Sequence, residues 1–164
     1  MKELLDQYAQ YNVWANKKIL DQIDALDSEQ QHREIASSFS SLYKTVLHVW
    51  GAETVWKRRL QNEIATIAGD QFNGSMNKLS DALRQQDQEL LDWILNRNIE
   101  KLKQKITYRN SKGQEFSEPI HLILMHLFNH NTYHRGQIVT LFRQLQVEKI
   151  PQTDFIAWVR LQPN

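Results

Sequence analysis

The chain has 164 residues, with 20 basic side chains, 19 acidic ones and no cysteine. That length fits a single domain over residues 1–164 that buries one core. A net charge of +1 offers no clustered basic face for nucleic acid or an anionic membrane surface, so we expect neither partner. Without cysteine the chain can form no disulfide or thiolate metal site, and any thiol chemistry needs a small molecule to bring the sulfur.

The N-terminal segment does not resemble a secretory signal, because an acid stands at Glu3 and no long apolar run follows. No stretch approaches the ~18 consecutive apolar residues that a membrane span requires. We therefore expect a cytoplasmic protein.

Glycine and proline are scarce and stand between periodic segments, a pattern typical of helices. A first helix is predicted over residues 2–26, followed by a polar connection at residues 28–38. Ser40 or Ser41 is predicted to cap a second helix that continues to Leu60. Residues 69–74 interrupt the pattern, and a third helix fits residues 75–98.

The helical spacing of apolar residues is lost between residues 101 and 118, where two short runs that could form strands flank a polar segment. Gly113 can supply a positive φ there, which predicts a small hairpin or turn. Pro119 can occupy the first turn of a fourth helix that extends to about Gln146. In the tail, Asp154 is predicted to cap a last helical turn. Four long helices around one core predict an all-α four-helix bundle, with the small insertion before its last long helix.

The fourth helix carries a histidine pair with the geometry of a metal site. A helical residue advances about 100° around the axis, so His130 and His134 lie on one face, one turn apart. Two imidazoles at that spacing can hold one metal ion. The pair shares its sector with apolar residues, which indicates that it points into the bundle. Those residues are Ile123, Leu127, Ile138, Leu141 and Leu145.

The other histidines differ in their suitability as a third ligand. His121 lies about 180° from His130 on the helical wheel, so we predict that it stays outside the site. His126 sits at the edge of the sector and can either ligate a metal or support His130. His48, midway along the second helix, is the best third ligand by position. His32, in the polar connection, is a poor candidate.

A buried histidine bonded to a carbonyl is the common alternative, and one histidine pair can arise by chance. The apolar sector favours a metal, because two uncompensated buried imidazoles carry a desolvation cost. Three neutral imidazoles would leave a divalent ion an open position, as in catalytic sites. Imidazole ligation suits zinc, nickel, copper and iron alike, so spacing does not select among them.

One segment of the fourth helix carries a more specific motif. Residues 126–137 read His-Leu-Phe-Asn-His-Asn-Thr-Tyr-His-Arg-Gly-Gln, and their core, His-x-x-x-His-Arg-Gly-Gln, resembles the DinB family (DinB/YfiT-like metalloenzymes). Shorter matches at residues 12–16, 48–53 and 153–155 follow in the family's order and span nearly the whole chain. Many relatives carry histidine where Tyr133 stands here.

The resemblance implies a divalent metal, zinc or nickel, held by His48 from the second helix and by His130 and His134 from the fourth. Some relatives are thiol-dependent transferases or isomerases that use small thiols such as mycothiol, bacillithiol or glutathione, and relatives often form homodimers. We therefore expect a homodimeric, metal-dependent enzyme that transfers a low-molecular-weight thiol to a small electrophile. A metal-dependent hydrolase and a non-catalytic metal-binding stress-response bundle are the alternatives.

Further expectations concern residues beside the ligands. Glu53, five residues after His48, lies off the ligand's face and is a candidate partner for Arg135. Tyr133 and Gln137 flank the histidine pair and can touch a substrate, although a structural role suits each better. The fourth helix also has a second apolar strip, which indicates either a central helix or a homodimer surface. That strip comprises Leu124, Phe128, Val139 and Phe142.

Overall fold

The structure is a computed structural model that describes residues 1–63 and 72–163. Within these ranges the chain forms seven helices and one antiparallel hairpin. The first half of the predicted break at residues 69–74 lies outside the described residues, and residues 72–74 belong to no helix or strand. The elements are α1 (Lys2–Asp24), α2 (Ser28–His32), α3 (Leu42–Leu60), α4 (Met76–Leu95), α5 (Ile99–Lys103), β1 (Lys105–Arg109), β2 (Glu115–Pro119), α6 (Ile120–Gln144) and α7 (Phe155–Val159).

Serine side chains start two of the long helices. The Ser41 hydroxyl accepts a hydrogen bond from the Lys44 backbone N–H at 3.1 Å, and Ser75 caps α4 in the same way. These bonds satisfy N–H groups that the first helical turn leaves without a partner. Of the two predicted caps of the second helix, Ser41 is therefore the correct one. Asp154 occupies the capping position of α7, but its side chain makes no capping bond.

The polar connection after α1 contains a short helix that the sequence analysis did not predict. Asp27 and Gln30 form a reciprocal capping box, in which each side chain bonds the backbone N–H of the other residue. Two satisfied backbone groups stabilise a helix start even in a polar segment with no apolar period. The segment 28–38 is thus helical over its first five residues.

The predicted insertion before the last long helix is a regular hairpin. Strands β1 and β2 pair antiparallel, with Lys105 opposite Pro119 and Arg109 opposite Glu115. Gly113 in the connecting turn has a φ of +78°, as the sequence predicts, because only glycine adopts this conformation without steric cost. The hairpin contacts α3 and α6, which compensates for the marginal stability of two isolated strands.

Helix α6 is one of the four long helices that enclose the core. It packs against α1 and α3, and α4 closes the bundle by packing against the same two helices. Leu124, Phe128 and Phe142 of the second apolar strip are at most 1% exposed within one chain. The strip therefore belongs to the core, and the four-helix bundle is confirmed. None of the described helices is long and apolar enough to cross a membrane.

Candidate metal centre

His48, His130 and His134 converge between α3 and α6. The Nε2 atom of His130 lies 3.1 Å from the Nε2 of His48 and 3.1 Å from the Nε2 of His134. All three candidate ligand atoms lie within 4.8 Å of one another. The structure thus brings together the three residues that the sequence analysis selected, although His48 stands 82 positions before His130 in the chain.

The spacing of these nitrogens suits a single metal ion. Imidazole nitrogens bound tetrahedrally to zinc at ~2.0–2.1 Å stand about 3.3 Å apart, close to the distances found here. Two other histidines show the alternative arrangement: His32 Nδ1 bonds the Ser28 carbonyl at 3.0 Å, and His121 Nδ1 bonds the Leu102 carbonyl at 3.1 Å. Those two are ordinary hydrogen-bonded histidines, and the position of His121 outside the triad agrees with the helical wheel.

Gln137 orients one of the three rings. The His134 Nδ1 lies 2.7 Å from the Gln137 side-chain carbonyl oxygen, and a carbonyl oxygen only accepts hydrogen bonds. The proton of the neutral ring therefore resides on Nδ1, which leaves the Nε2 lone pair directed at the other two histidines. Such a partner fixes both the tautomer and the orientation of a metal-binding imidazole.

The protonation states of the triad favour metal binding. Burial, together with the neighbouring charges of His134, His48 and His126, lowers the pKa of His130 to about 4. Burial also lowers the pKa of His48 and of His134, and in His134 the hydrogen bond that Nδ1 donates to Gln137 opposes this shift. All three rings are therefore neutral near pH 7, the form in which imidazole binds metals.

Aromatic side chains surround the triad. Phe39 stacks on the His48 ring at a centroid distance of 4.1 Å and meets His134 edge-on at 5.6 Å. Tyr133 is 63% exposed, and its ring centroid lies 5.1 Å from that of His134. The sequence analysis missed Phe39, because it stands in an irregular segment without a period that would orient it.

His126 lies beside the triad but outside the group of ligand atoms. Its ring centroid is 6.1 Å from that of His130 and 5.3 Å from that of Trp56, which it meets edge-on. The sequence left two roles open for His126, metal ligand or support for His130, and this geometry fits the supporting role better.

A buried polar network lies behind the histidines. The Arg135 Nη1 donates to the side-chain oxygens of Asn12 and Asn16, both at 2.8 Å. The Asn131 amide donates to Asn12 at 3.2 Å and to a carboxylate oxygen of Glu53. All five side chains are at most 4% exposed. Since Asn131 and Arg135 directly follow the two α6 histidines in the chain, the network fixes the rotation of α6 at the site.

Two buried carboxyl groups complete the network. Asp87 accepts hydrogen bonds from the Asn16 amide at 3.1 Å and from the Asn12 amide at 3.2 Å, and Glu53 accepts one from Gln86 at 3.2 Å. Burial raises the pKa of Glu53, and it raises that of Asp87 well above its ordinary value, with the charge of Glu53 adding to the second shift.

The predicted pairing of Glu53 with Arg135 is wrong in its contacts. Glu53 hydrogen bonds to Asn131 and Gln86, while Arg135 donates to the asparagines of α1 and to Thr132. Arg135 still opposes the rise in the pKa of Glu53 through its charge. In the sequence, Glu53 and Arg135 both stand in segments that resemble the family, but a sequence alone does not show which side chains they contact.

The fold and the site together define a four-helix bundle with three histidines on two facing helices. The family model of the DinB family matches residues 1–162, so the chain belongs to the DinB family. It is similar to the protein named Protein DinB of Bacillus subtilis (strain 168), with 27% identity over 169 residues that cover 94% of this chain and 93% of that protein.

Two crystal structures share the fold. A DinB-like protein from Bacillus cereus ATCC 10987 superposes with a TM-score of 0.68 at 20% identity, over 88% of this chain and 94% of its own. A structure assigned to the DinB family from Exiguobacterium sibiricum 255-15 gives a TM-score of 0.69 at 18% identity, over 93% and 97% of the two chains. At these identities the likeness concerns the fold.

Proposed function

We propose that the chain is a divalent-metal-dependent enzyme that transfers a low-molecular-weight thiol to a small electrophile. His48, His130 and His134 hold the metal, which is zinc or nickel. The observation that carries the proposal is the convergence of three neutral imidazoles, with the His130 Nε2 3.1 Å from the Nε2 of His48 and 3.1 Å from that of His134. Among the residues that the structure describes, no carbonyl hydrogen bonds to these Nε2 atoms, and a shared cation would account for their meeting.

The donor set favours a catalytic centre over a structural one. Structural zinc sites are closed by four protein ligands, whereas three protein ligands leave a position for a substrate. His48 and His130 are only half-buried, so a small molecule can reach them. A divalent ion bound there would supply the positive charge that ionises a thiol at neutral pH.

The surroundings of the triad favour thiol transfer over hydrolysis. A metal-dependent hydrolase gains from a carboxylate base beside the attacking water, as in the HExxH proteases. Among the described residues, the triad includes no carboxylate, and Glu53 and Asp87 are engaged in the buried network. A thiol ionises far more readily than water and needs no such base. The chain has no cysteine, so the sulfur belongs to the substrate.

In the proposed reaction the thiol sulfur forms a bond to an electrophilic carbon. The bond between that carbon and its leaving group breaks, and the leaving group departs with the electron pair. The thiol proton passes to the leaving group or to solvent. Within the chain, the three histidines remain neutral ligands, Gln137 holds the His134 ring, and Phe39 and Tyr133 bound the space beside it.

The test is a conjugation assay with the zinc- or nickel-loaded protein, glutathione or bacillithiol as the thiol, and monobromobimane as the electrophile. We expect fluorescent conjugate to form faster than in buffer, only with metal present, and not with His130→Ala. His121→Ala is the matched control on the same helix and should retain the rate. Equal rates for the wild type and His130→Ala would contradict the proposal, and turnover of an ester without any thiol would favour the hydrolase.

A further inference from the structure

Arg59 lies on the same face of α3 as His48. It follows that histidine by eleven residues, which is about three full turns at about 100° per residue, so the two side chains leave the helix in nearly the same direction. The rise of about 1.5 Å per residue places them about 16 Å apart along the axis. A small molecule laid along this face can thus meet both side chains.

A row of rings connects the triad to Arg59. The His126 ring centroid is 6.1 Å from that of His130, and the Trp56 ring is 5.3 Å from His126. The Arg59 guanidinium carbon lies 4.5 Å from the Trp56 ring centroid. The metal centre and the arginine therefore share one aromatic wall formed by α3 and α6.

The guanidinium of Arg59 lies against two aromatic rings. Its central carbon is 4.5 Å from the ring centroid of Trp56 and 4.5 Å from that of Tyr108, the two rings meet each other edge-on at 5.0 Å, and the Arg59 Nη2 donates to the Arg109 carbonyl at 3.2 Å. Contact with aromatic rings restricts a guanidinium and leaves its remaining N–H groups free for hydrogen bonds. A planar fork of this kind matches the two oxygens of a carboxylate.

Arg59 has no anionic partner within ion-pair distance in the parts of the chain that the structure describes. The neighbouring Arg109, by contrast, pairs with Glu115 at 2.9 Å. The open pocket beside Arg59 is lined by neutral polar residues, by this paired couple and by the exposed Glu63. Burial also lowers the pKa of Arg59, against an opposing effect of Tyr108, which means that the contacts of the guanidinium do not fully offset its desolvation. An anionic ligand would supply that compensation.

We infer that Arg59 binds a carboxylate of the small thiol whose sulfur lies at the histidine triad. The inference rests on the proposed function and narrows it: the substrate thiol carries a negative group about 16 Å, or somewhat less, from its sulfur. Arg59 is then a specificity-determining residue, because it selects among thiols without taking part in the reaction.

The test measures binding of synthetic thiols to the cobalt(II)-loaded protein through the sulfur-to-cobalt absorption band. The probes are mercapto-oligo(ethylene glycol) acids of increasing length and the alcohols of the same length. We expect one intermediate length at which the acid binds about tenfold more tightly than its alcohol. In Arg59→Met that ratio should fall to near one, while the alcohol binds as it does to the wild type.

Arg97→Met is the matched control, because Arg97 also stacks on a tryptophan, with 3.6 Å between its guanidinium and the Trp93 ring, but lies outside this row of rings. It should keep the preference for the acid. An absorption band without any preference for acids, or a preference that survives in Arg59→Met, would overturn the inference and leave the proposed function standing. Absence of the band with every thiol would contradict the proposed function and the inference together.

Discussion

At the scale of single residues, the histidines differ in what their ring nitrogens contact. His32 and His121 each bond a backbone carbonyl, the ordinary arrangement for a histidine in a folded protein. The three histidines of the triad instead direct Nε2 atoms at one another. Two neutral rings can share one proton between facing nitrogens, whereas three Nε2 atoms at one point present lone pairs that a single cation would satisfy together.

Gln137 is predicted to control metal affinity through the orientation of His134. Gln137→Leu removes the acceptor of the His134 Nδ1 proton, so the ring loses its fixed tautomer. Metal affinity, measured by competition with a chromophoric chelator, should fall about 10- to 100-fold. Gln144→Leu, an exposed glutamine on the same helix, is the control and should bind as the wild type does. Equal affinities in both variants would show that Gln137 does not support the ligand.

The buried carboxyl of Asp87 is predicted to give stability an unusual dependence on pH. Its folded-state pKa lies well above the ordinary value of 3.8, so the folded chain binds the proton more tightly than the unfolded chain. The contribution of Asp87 to the free energy of unfolding is therefore fully present below about pH 4 and declines as the pH rises towards the raised pKa.

Urea unfolding at a series of pH values tests this by comparing the wild type with Asp87→Asn. The free energy of unfolding of the wild type minus that of Asp87→Asn should fall steadily from acid to neutral pH. Asp92→Asn, at an exposed position of the same helix, should show no such trend. A difference that is constant with pH, or one that grows, would mean that Asp87 is ionised throughout.

At the scale of elements, α6 both contributes side chains to the core and carries two of the candidate metal ligands. One face directs His130 and His134 at α3, another places Asn131 and Arg135 in the polar network, and the apolar strips fill the core on both sides. The periodicity of the sequence predicted the histidine face and the bounds of the helix to within two residues. It could not decide between a central helix and a dimer surface, because a wheel shows which side chains are apolar but not what covers them.

The core position of the second apolar strip predicts a large cost for truncating it. Phe128→Ala removes a ring that is 1% exposed and should lower the free energy of unfolding by about 3–5 kcal/mol. Leu122→Ala, on the same helix at 53% exposure, should change it by no more than about 0.5 kcal/mol. Chemical unfolding followed by far-UV circular dichroism measures both. Similar losses for the two variants would indicate that the exposed leucine is covered by a partner.

At the scale of the whole molecule, the polar network explains why short matching segments are spread along the chain. Asn12 and Asn16 of α1 and Glu53 of α3 hydrogen bond to side chains of α6, and Asp87 of α4 joins the network through the two asparagines, so all four long helices contribute. The sequence showed the segments but not their meeting, since these contacts join residues 71 to 123 positions apart.

What could be predicted from the sequence was whatever depends on local period and turn chemistry. The four long helices, the positive φ at Gly113 and the exclusion of His121 belong to this class. The short helix α2, the position of Phe39 and the partners of Glu53 depend on tertiary contacts that no local pattern contains. The cytoplasmic location and the homodimer stay predictions, and the burial of Leu124, Phe128 and Phe142 within one chain removes one reason for expecting the dimer.

The central claim is that His48, His130 and His134 hold a metal ion, and elemental analysis of protein purified without an affinity tag tests it most directly. The wild type, His130→Ala and His121→Ala are compared. We predict about one zinc or nickel ion per chain in the wild type and in His121→Ala, and none in His130→Ala. No metal in any of the three, even after soaking with zinc and nickel, would contradict the account and leave a packed bundle with three neighbouring histidines.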